Sequence, residues 1–167
     1  MSAEAESESE QEEVGCYAVV QVRGEVNMSS GVRDTLDMLS LGDVNSCTIR
    51  PATGSVEGML HKVNDYVAYG TPSAETVAEL VETRGETEDG DSVTDGYIDE
   101  NTEYSSVEEF AEAVVEGDTD LKEAGLRTRL GLHPPRGGHS GIKKSYKQGG
   151  VLGSHGNEID DLLRRMR

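Results

Sequence analysis

The chain opens its apolar pattern with CYAVVQV at residues 16–22, a nearly continuous run too short for a helix and followed by a polar loop over 23–28. Such a run predicts a strand covered on both faces. Ser29 then stands where an N-cap belongs, ahead of a helix with Val32, Leu36 and Leu39 at i, i+4 and i+7 that closes near Gly42. Residues 46–50 (SCTIR) alternate as a second strand and stop at Pro51. Residues 55–66 place Val56, Met59, Leu60 and Val63 on one helical stripe, and 67–69 form a third short strand. Pro72 and Ser73 open a further helix carrying Val77, Leu80 and Val81, with Gly85 at its end.

Strand, helix, strand, helix, strand with short connections predicts an α+β chain with a ferredoxin-like, split βαβ core over 14–85, its helices covering one face of a small sheet. Residues 1–13 have nothing to bury and are expected to form a disordered acidic leader. Residues 86–104 are acid-rich and base-free and are expected as a solvated acidic loop. Order resumes in a C-terminal extension over 105–167. Ser105 and Ser106 offer a capping box to a helix with Val107, Phe110, Val114 and Val115, and 118–124 make a helical turn ended by Gly125. From 126 the period becomes two, with Leu126, Leu130 and Leu132 on one face and Arg127, Arg129 and His133 on the other. Asn157 is expected to cap a final helix bearing Ile159, Leu162, Leu163 and Met166.

Charge changes this picture. The chain carries 33 acids against 15 Lys and Arg, a formal net charge of −18, but residues 1–124 hold 30 of those acids and only 6 of the bases. Residues 125–155 hold Arg127, Arg129, Arg136, Lys143, Lys144 and Lys147 and no acid at all. That asymmetry predicts a polyanion-binding arm on an acidic body. A body this acidic repels itself unless salt screens it, which points to the high-salt cytosol of a halophilic archaeon. Cys16 and Cys47 lie in apolar runs and read as buried thiols. The N-terminus is acidic and no window of about 20 apolar residues exists, so a soluble cytoplasmic protein without a membrane partner is expected.

Within the arm, Pro134, Pro135 and a run of glycines exclude a packed helix and leave backbone N–H groups open to phosphates. Tyr146, His133 and His139 offer rings for stacking on unpaired bases. His133, His139 and His155 also invite a metal reading, but their spacing is irregular and no Cys or acid joins them, so neither metal nor cofactor is expected. GGHSGIKKS misses a nucleophile elbow and a phosphate-binding loop alike, because Ile142 stands where each pattern needs another residue. The alternatives to RNA binding are a small hydrolase or transferase using His133 or His139, and a protein-protein adaptor acting through the acidic body.

Three stretches resemble a known family: VVQVRGEVNMSSGVRDTLDML at 19–39, MLHKVNDYVAYGTPS at 59–73, and the C-terminal string LHPPRGGH with a Lys pair, a Gly pair and a terminal LLRRM. Together they are similar to the archaeal and eukaryotic branch of the large-subunit ribosomal protein family called L-thirty in bacteria and L-seven in eukaryotes. The resemblance implies a ferredoxin-like ribosomal protein with a C-terminal extension and no catalytic activity. It implies binding to large-subunit ribosomal RNA near 5S ribosomal RNA, beside neighbouring ribosomal proteins and not as a stand-alone homo-oligomer. Arg23, Asn27, Met28, Arg127, Arg129, His133, Pro134, Pro135, Arg136, Gly137, Gly138, Lys143 and Lys144 match its pattern, and His139, Tyr146 and Lys147 join them from the arm's own chemistry. The acidic leader and the 86–104 segment inherit no role.

Overall fold

The computed structural model describes residues 15–24, 26, 28–139 and 141–167; the leader expected over 1–13 and the candidate Asn27 lie outside the described residues. β1 (Cys16–Gln21) lies at the centre of a five-stranded sheet completed by β2 (Ser46–Pro51), β3 (Val67–Gly70), β4 (Leu130–Gly131) and β5 (Gly153–Ser154), in the order β4-β2-β1-β3-β5. The α-helices among the described residues are α1 (Ser30–Met38), α2 (Gly54–Val63), α3 (Ala74–Arg84), α4 (Asp95–Asn101), α5 (Val107–Glu116) and α6 (Ile159–Met166). β1 runs antiparallel to β2 (Ala18↔Ile49) and to β3 (Val19↔Tyr69). β2 and β3 are therefore parallel to each other with β1 between them, which makes β2-α2-β3 a split βαβ unit of the ferredoxin-like kind.

The helices do not stay on one face, contrary to the expectation above. Tyr17 and Val19 point toward Leu36 and Leu39 of α1 and Val56, Leu60 and Val63 of α2. Cys16, Ala18 and Val20 point the other way and meet Val77 and Leu80 of α3, Phe110 of α5 and Leu163 of α6. An all-apolar strand has two faces to hide, and burying each large side chain stabilises by about 1.5–3 kcal/mol, so a second helical layer is required. Helix α3 shares that layer with α5 and α6 of the C-terminal half, which also supplies both sheet edges, through Cys47↔Leu130 and Ala68↔Gly153. Residues 105–167 are thus woven into the sheet instead of following it as an appendage.

Local signals hold where they are self-contained. The hydroxyls of Ser29, Thr53, Ser73 and Ser106 accept the N–H of Val32, Val56, Thr76 and Glu109. The expected capping box forms only in part: the Ser106 hydroxyl accepts the Glu109 N–H, but the Glu109 carboxylate reaches past the N-cap to accept the Ser105 N–H at 3.0 Å and its hydroxyl at 2.9 Å, and these bonds hold its carboxyl below the usual range. Two expectations fail. Asn157 does not cap α6; a 3-10 turn (Gly156–Glu158) leads into it, and the Asp160 carboxylate instead accepts the Ser73 N–H at 3.0 Å. The 86–104 segment is not only a solvated loop, because α4 forms within it, with Val93 and Ile98 buried and the Tyr97 hydroxyl donating to the Ala124 carbonyl at 2.9 Å. Three apolar side chains suffice there because Thr94 caps the helix and the core receives them. Cys16 and Cys47 are free and buried, and burial pushes both thiols up to about 12. No described helix is long and apolar enough to cross a membrane.

Candidate nucleic-acid interface

Strand register dictates where the cationic segment goes. Gly131 pairs with Ser46 at the start of β2, and Gly153 pairs with Ala68 near the start of β3, which is the end of the sheet where β1 finishes at Gln21↔Val67. Residues 132–152 therefore leave one sheet edge and rejoin the opposite edge at the same end, as an arch. Main-chain bonds seat it: Leu132 N–H to Asn45 O (3.0 Å), His133 N–H to Met166 O (3.0 Å), Arg136 N–H to Arg165 O (3.1 Å) and His155 N–H to Tyr69 O (2.8 Å). The loop between β1 and α1 leaves from that end too, so Arg23 joins the arm from more than a hundred residues away in sequence. Its guanidinium lies over the Tyr66 ring, 5.1 Å from the centroid, and donates to the Asp65 carbonyl at 3.2 Å.

The arm's cations divide into two sets. Arg127 pairs with Glu86 at 2.8 Å and Arg129 with Asp43 at 3.3 Å, so the absence of acids in the segment itself does not leave these two unpartnered. Both pairs are exposed and worth about 0.2–1 kcal/mol each, so neither holds its arginine firmly. Arg136, Lys143, Lys144 and Lys147 are exposed and make no ion pair among the described residues. The arch closes between Pro135 and Gly138 through a turn in which the Gly138 N–H donates to the Pro135 carbonyl at 3.0 Å. Gly137 and Gly138 have φ of 81° and 76°, and a Cβ on either would meet open space, so backbone conformation and not packing calls for glycine there.

Other candidates move. Met28 is 4% exposed and packs with Leu36 and Val67, so its side chain belongs to the core and is withdrawn as a contact residue; a thioether beside an apolar cluster is drawn inward by the same burial that drives the strand. Tyr146 has one ring face stacked on His155 at 4.0 Å, and its hydroxyl donates to Glu158, which raises its pKa; only the other face is open to a base. The histidines do not converge. His133 Nδ1 faces the Pro134 carbonyl at 2.6 Å, His155 Nε2 faces the Val151 carbonyl at 2.6 Å, and both ring nitrogens of His139 are buried without a hydrogen-bond partner. Burial holds His139 and His155 below the ordinary imidazole value. No group of three or more metal-ligating side chains is gathered among the described residues. Val26, 83% exposed, and Ile142 add apolar surface to the same two loops; their only sequence signal is a lone branched residue in a polar stretch.

Gly150 locks the arch. A Cβ there would sit 2.1 Å from the Lys144 carbonyl oxygen, while its N–H donates to the Ser145 carbonyl at 2.9 Å. Gly150→Ala is expected to cost about 1–3 kcal/mol and to open the loop, so that trypsin cuts the free protein faster after Lys144 and Lys147. Unchanged cleavage would show that the loop absorbs the methyl group.

This is a split βαβ protein whose two sheet edges are joined by a cationic, glycine-rich arch at one end of the sheet. Residues 17–67 match the family model described as ribosomal protein L30p/L7e. The chain is 54% identical over 152 residues to the large ribosomal subunit protein uL30 of Natronomonas pharaonis, covering 90% of this chain and 99% of the relative. It is 49% identical over 153 residues to that of Haloarcula marismortui and 43% over 152 residues to that of Methanocella arvoryzae, again with 90% and 99% covered. The chain belongs to the large ribosomal subunit protein uL30 family.

Proposed function

We propose that the chain is a structural, non-enzymatic constituent of the large ribosomal subunit of a salt-adapted archaeon, where it binds and stabilises folded ribosomal RNA through the arch end of its sheet. One observation carries the reading: in a chain with 33 acids, Arg136, Lys143, Lys144 and Lys147 share one arch and pair with none of them among the described residues. Cations that fold without a carboxylate are available to phosphates, and releasing condensed counterions then drives association. Arg23, Arg127, Arg129, His133, His139 and the Gly137-Gly138 backbone complete the surface. The relatives' names support the particle, and the arm's composition supports RNA as the ligand. The partners in this reading are large-subunit RNA near 5S ribosomal RNA and adjacent ribosomal proteins, in cytoplasmic ribosomes. A catalytic reading lacks support, since neither His133 nor His139 has an acid behind it among the described residues.

The test is sedimentation of a tagged chain in extract of a haloarchaeal host at high salt. The chain is expected to travel with the large subunit. A chain found mainly at the top of the gradient would sink the proposal.

A further inference from the structure

Arg165 is a half-buried cation that no carboxylate answers among the described residues. The arginines on either side of it at the end of α6 are both tied to acids of α3, Arg164 to Glu75 at 3.9 Å and Arg167, just past the helix, to Glu79 at 2.8 Å. Arg165 turns away from them. Its Nη1 donates to the Gly138 carbonyl at 3.4 Å, and its own carbonyl accepts the Arg136 N–H at 3.1 Å, so helix and arch clasp each other at this point. The titratable neighbours do not pair with it: burial first lowers the pKa values of His139 and His155 and Arg165 lowers both further, while Glu158, which raises that of His155 and accepts the Tyr146 hydroxyl, and Asp161, four residues before Arg165, form no ion pair with Arg165 among the described residues. A partly desolvated charge left unpaired is costly, and in a chain this acidic a carboxylate was the readiest remedy.

We propose that Arg165, with Arg136 and the 135–138 turn, forms a phosphodiester-binding site for ribosomal RNA that only the docked C-terminal helix completes. The guanidinium supplies a planar fork suited to two phosphate oxygens. Gly137 and Gly138, with nothing near their Cβ positions, let the backbone approach closely. The site deepens the ribosomal RNA-binding reading and rests on it.

The experiment measures binding of the full-length chain to deproteinised large-subunit ribosomal RNA across a potassium chloride series, with a circular dichroism melt of each variant. Arg165→Gln is expected to weaken binding about tenfold and to lower the log-log salt slope by about 0.7–0.9. Arg164→Gln removes the same charge one residue away and is expected to stay within about twofold of wild type. Arg165→Lys is expected to keep the slope and lose only part of the affinity, because a point charge replaces the fork. Equal losses for Arg164→Gln and Arg165→Gln would reduce the effect to general charge and overturn the site. Arg165→Lys as damaging as Arg165→Gln would leave Arg165 a brace for the turn and nothing more, whether or not Arg165→Gln melts early. Wild-type RNA binding by Arg165→Gln, combined with failure to enter subunits, would assign the anion to an acidic protein segment and defeat the proposal while ribosomal membership stands. Failure of the wild-type chain itself to bind would instead remove the RNA-binding reading.

Discussion

Changing Arg136, Lys143 and Lys144 together to Ala is expected to weaken binding to large-subunit ribosomal RNA on the order of a hundredfold and to flatten the salt slope by about 2–3 in total. All three side chains are exposed and none makes an ion pair among the described residues, so nothing described within the chain compensates for their loss or competes for them. The body should stay folded, because its buried clusters include none of the three. Filter binding over a salt series, with far-UV circular dichroism as the control for folding, reads both effects. Replacing Arg127 and Arg129 instead should cost less per charge, since each must first leave Glu86 or Asp43. Unchanged affinity and slope in the triple variant would show that the arch is not the RNA-binding element, and its residues would have to be reassigned.

The free protein is expected to lose helix and compactness as salt is diluted from molar concentration to a few tens of millimolar. The Debye length grows from about 3 Å at 1 M to about 10 Å at 0.1 M and about 30 Å at 0.01 M, so charges that ignore each other in strong salt begin to repel across whole helices. The weak point can be named. Glu75, Glu79 and Glu82 of α3 and Glu108 and Glu112 of α5 line one groove between the two helices, and only Glu75 and Glu79 have a described cationic partner. The α3-α5 layer also covers the second face of β1 through Val77, Leu80 and Phe110, so separating it exposes the larger buried cluster and unfolding should be cooperative. Circular dichroism on dilution, with recovery on returning the salt, is the measurement. Glu108→Gln with Glu112→Gln should move the transition to lower salt. A helical signal fully retained in dilute buffer would show that packing alone outweighs the repulsion.

Local chemistry is what this sequence determined by itself. Ser29, Ser73 and Ser106 cap helices because a hydroxyl reaches an N–H three residues on, and no distant residue is needed. The apolar run at 16–22 required cover on both faces, and the alternation from Leu126 to His133 put leucines inward and arginines outward, because strand geometry ties side-chain direction to position. The excess of cations in the arm was visible as composition. Tertiary structure decided which charges remain unanswered. Glu86 lies 41 residues before Arg127 and Asp43 lies 86 before Arg129, so no inspection of an acid-free segment could reveal those pairs. The same distance hid the second helical layer, the burial of Met28, the docking of α4 and the isolation of Arg165 between two arginines that found acids. Ion pairing and burial depend on separation in space, which the sheet register sets by bringing both ends of residues 132–152 to one end of the sheet.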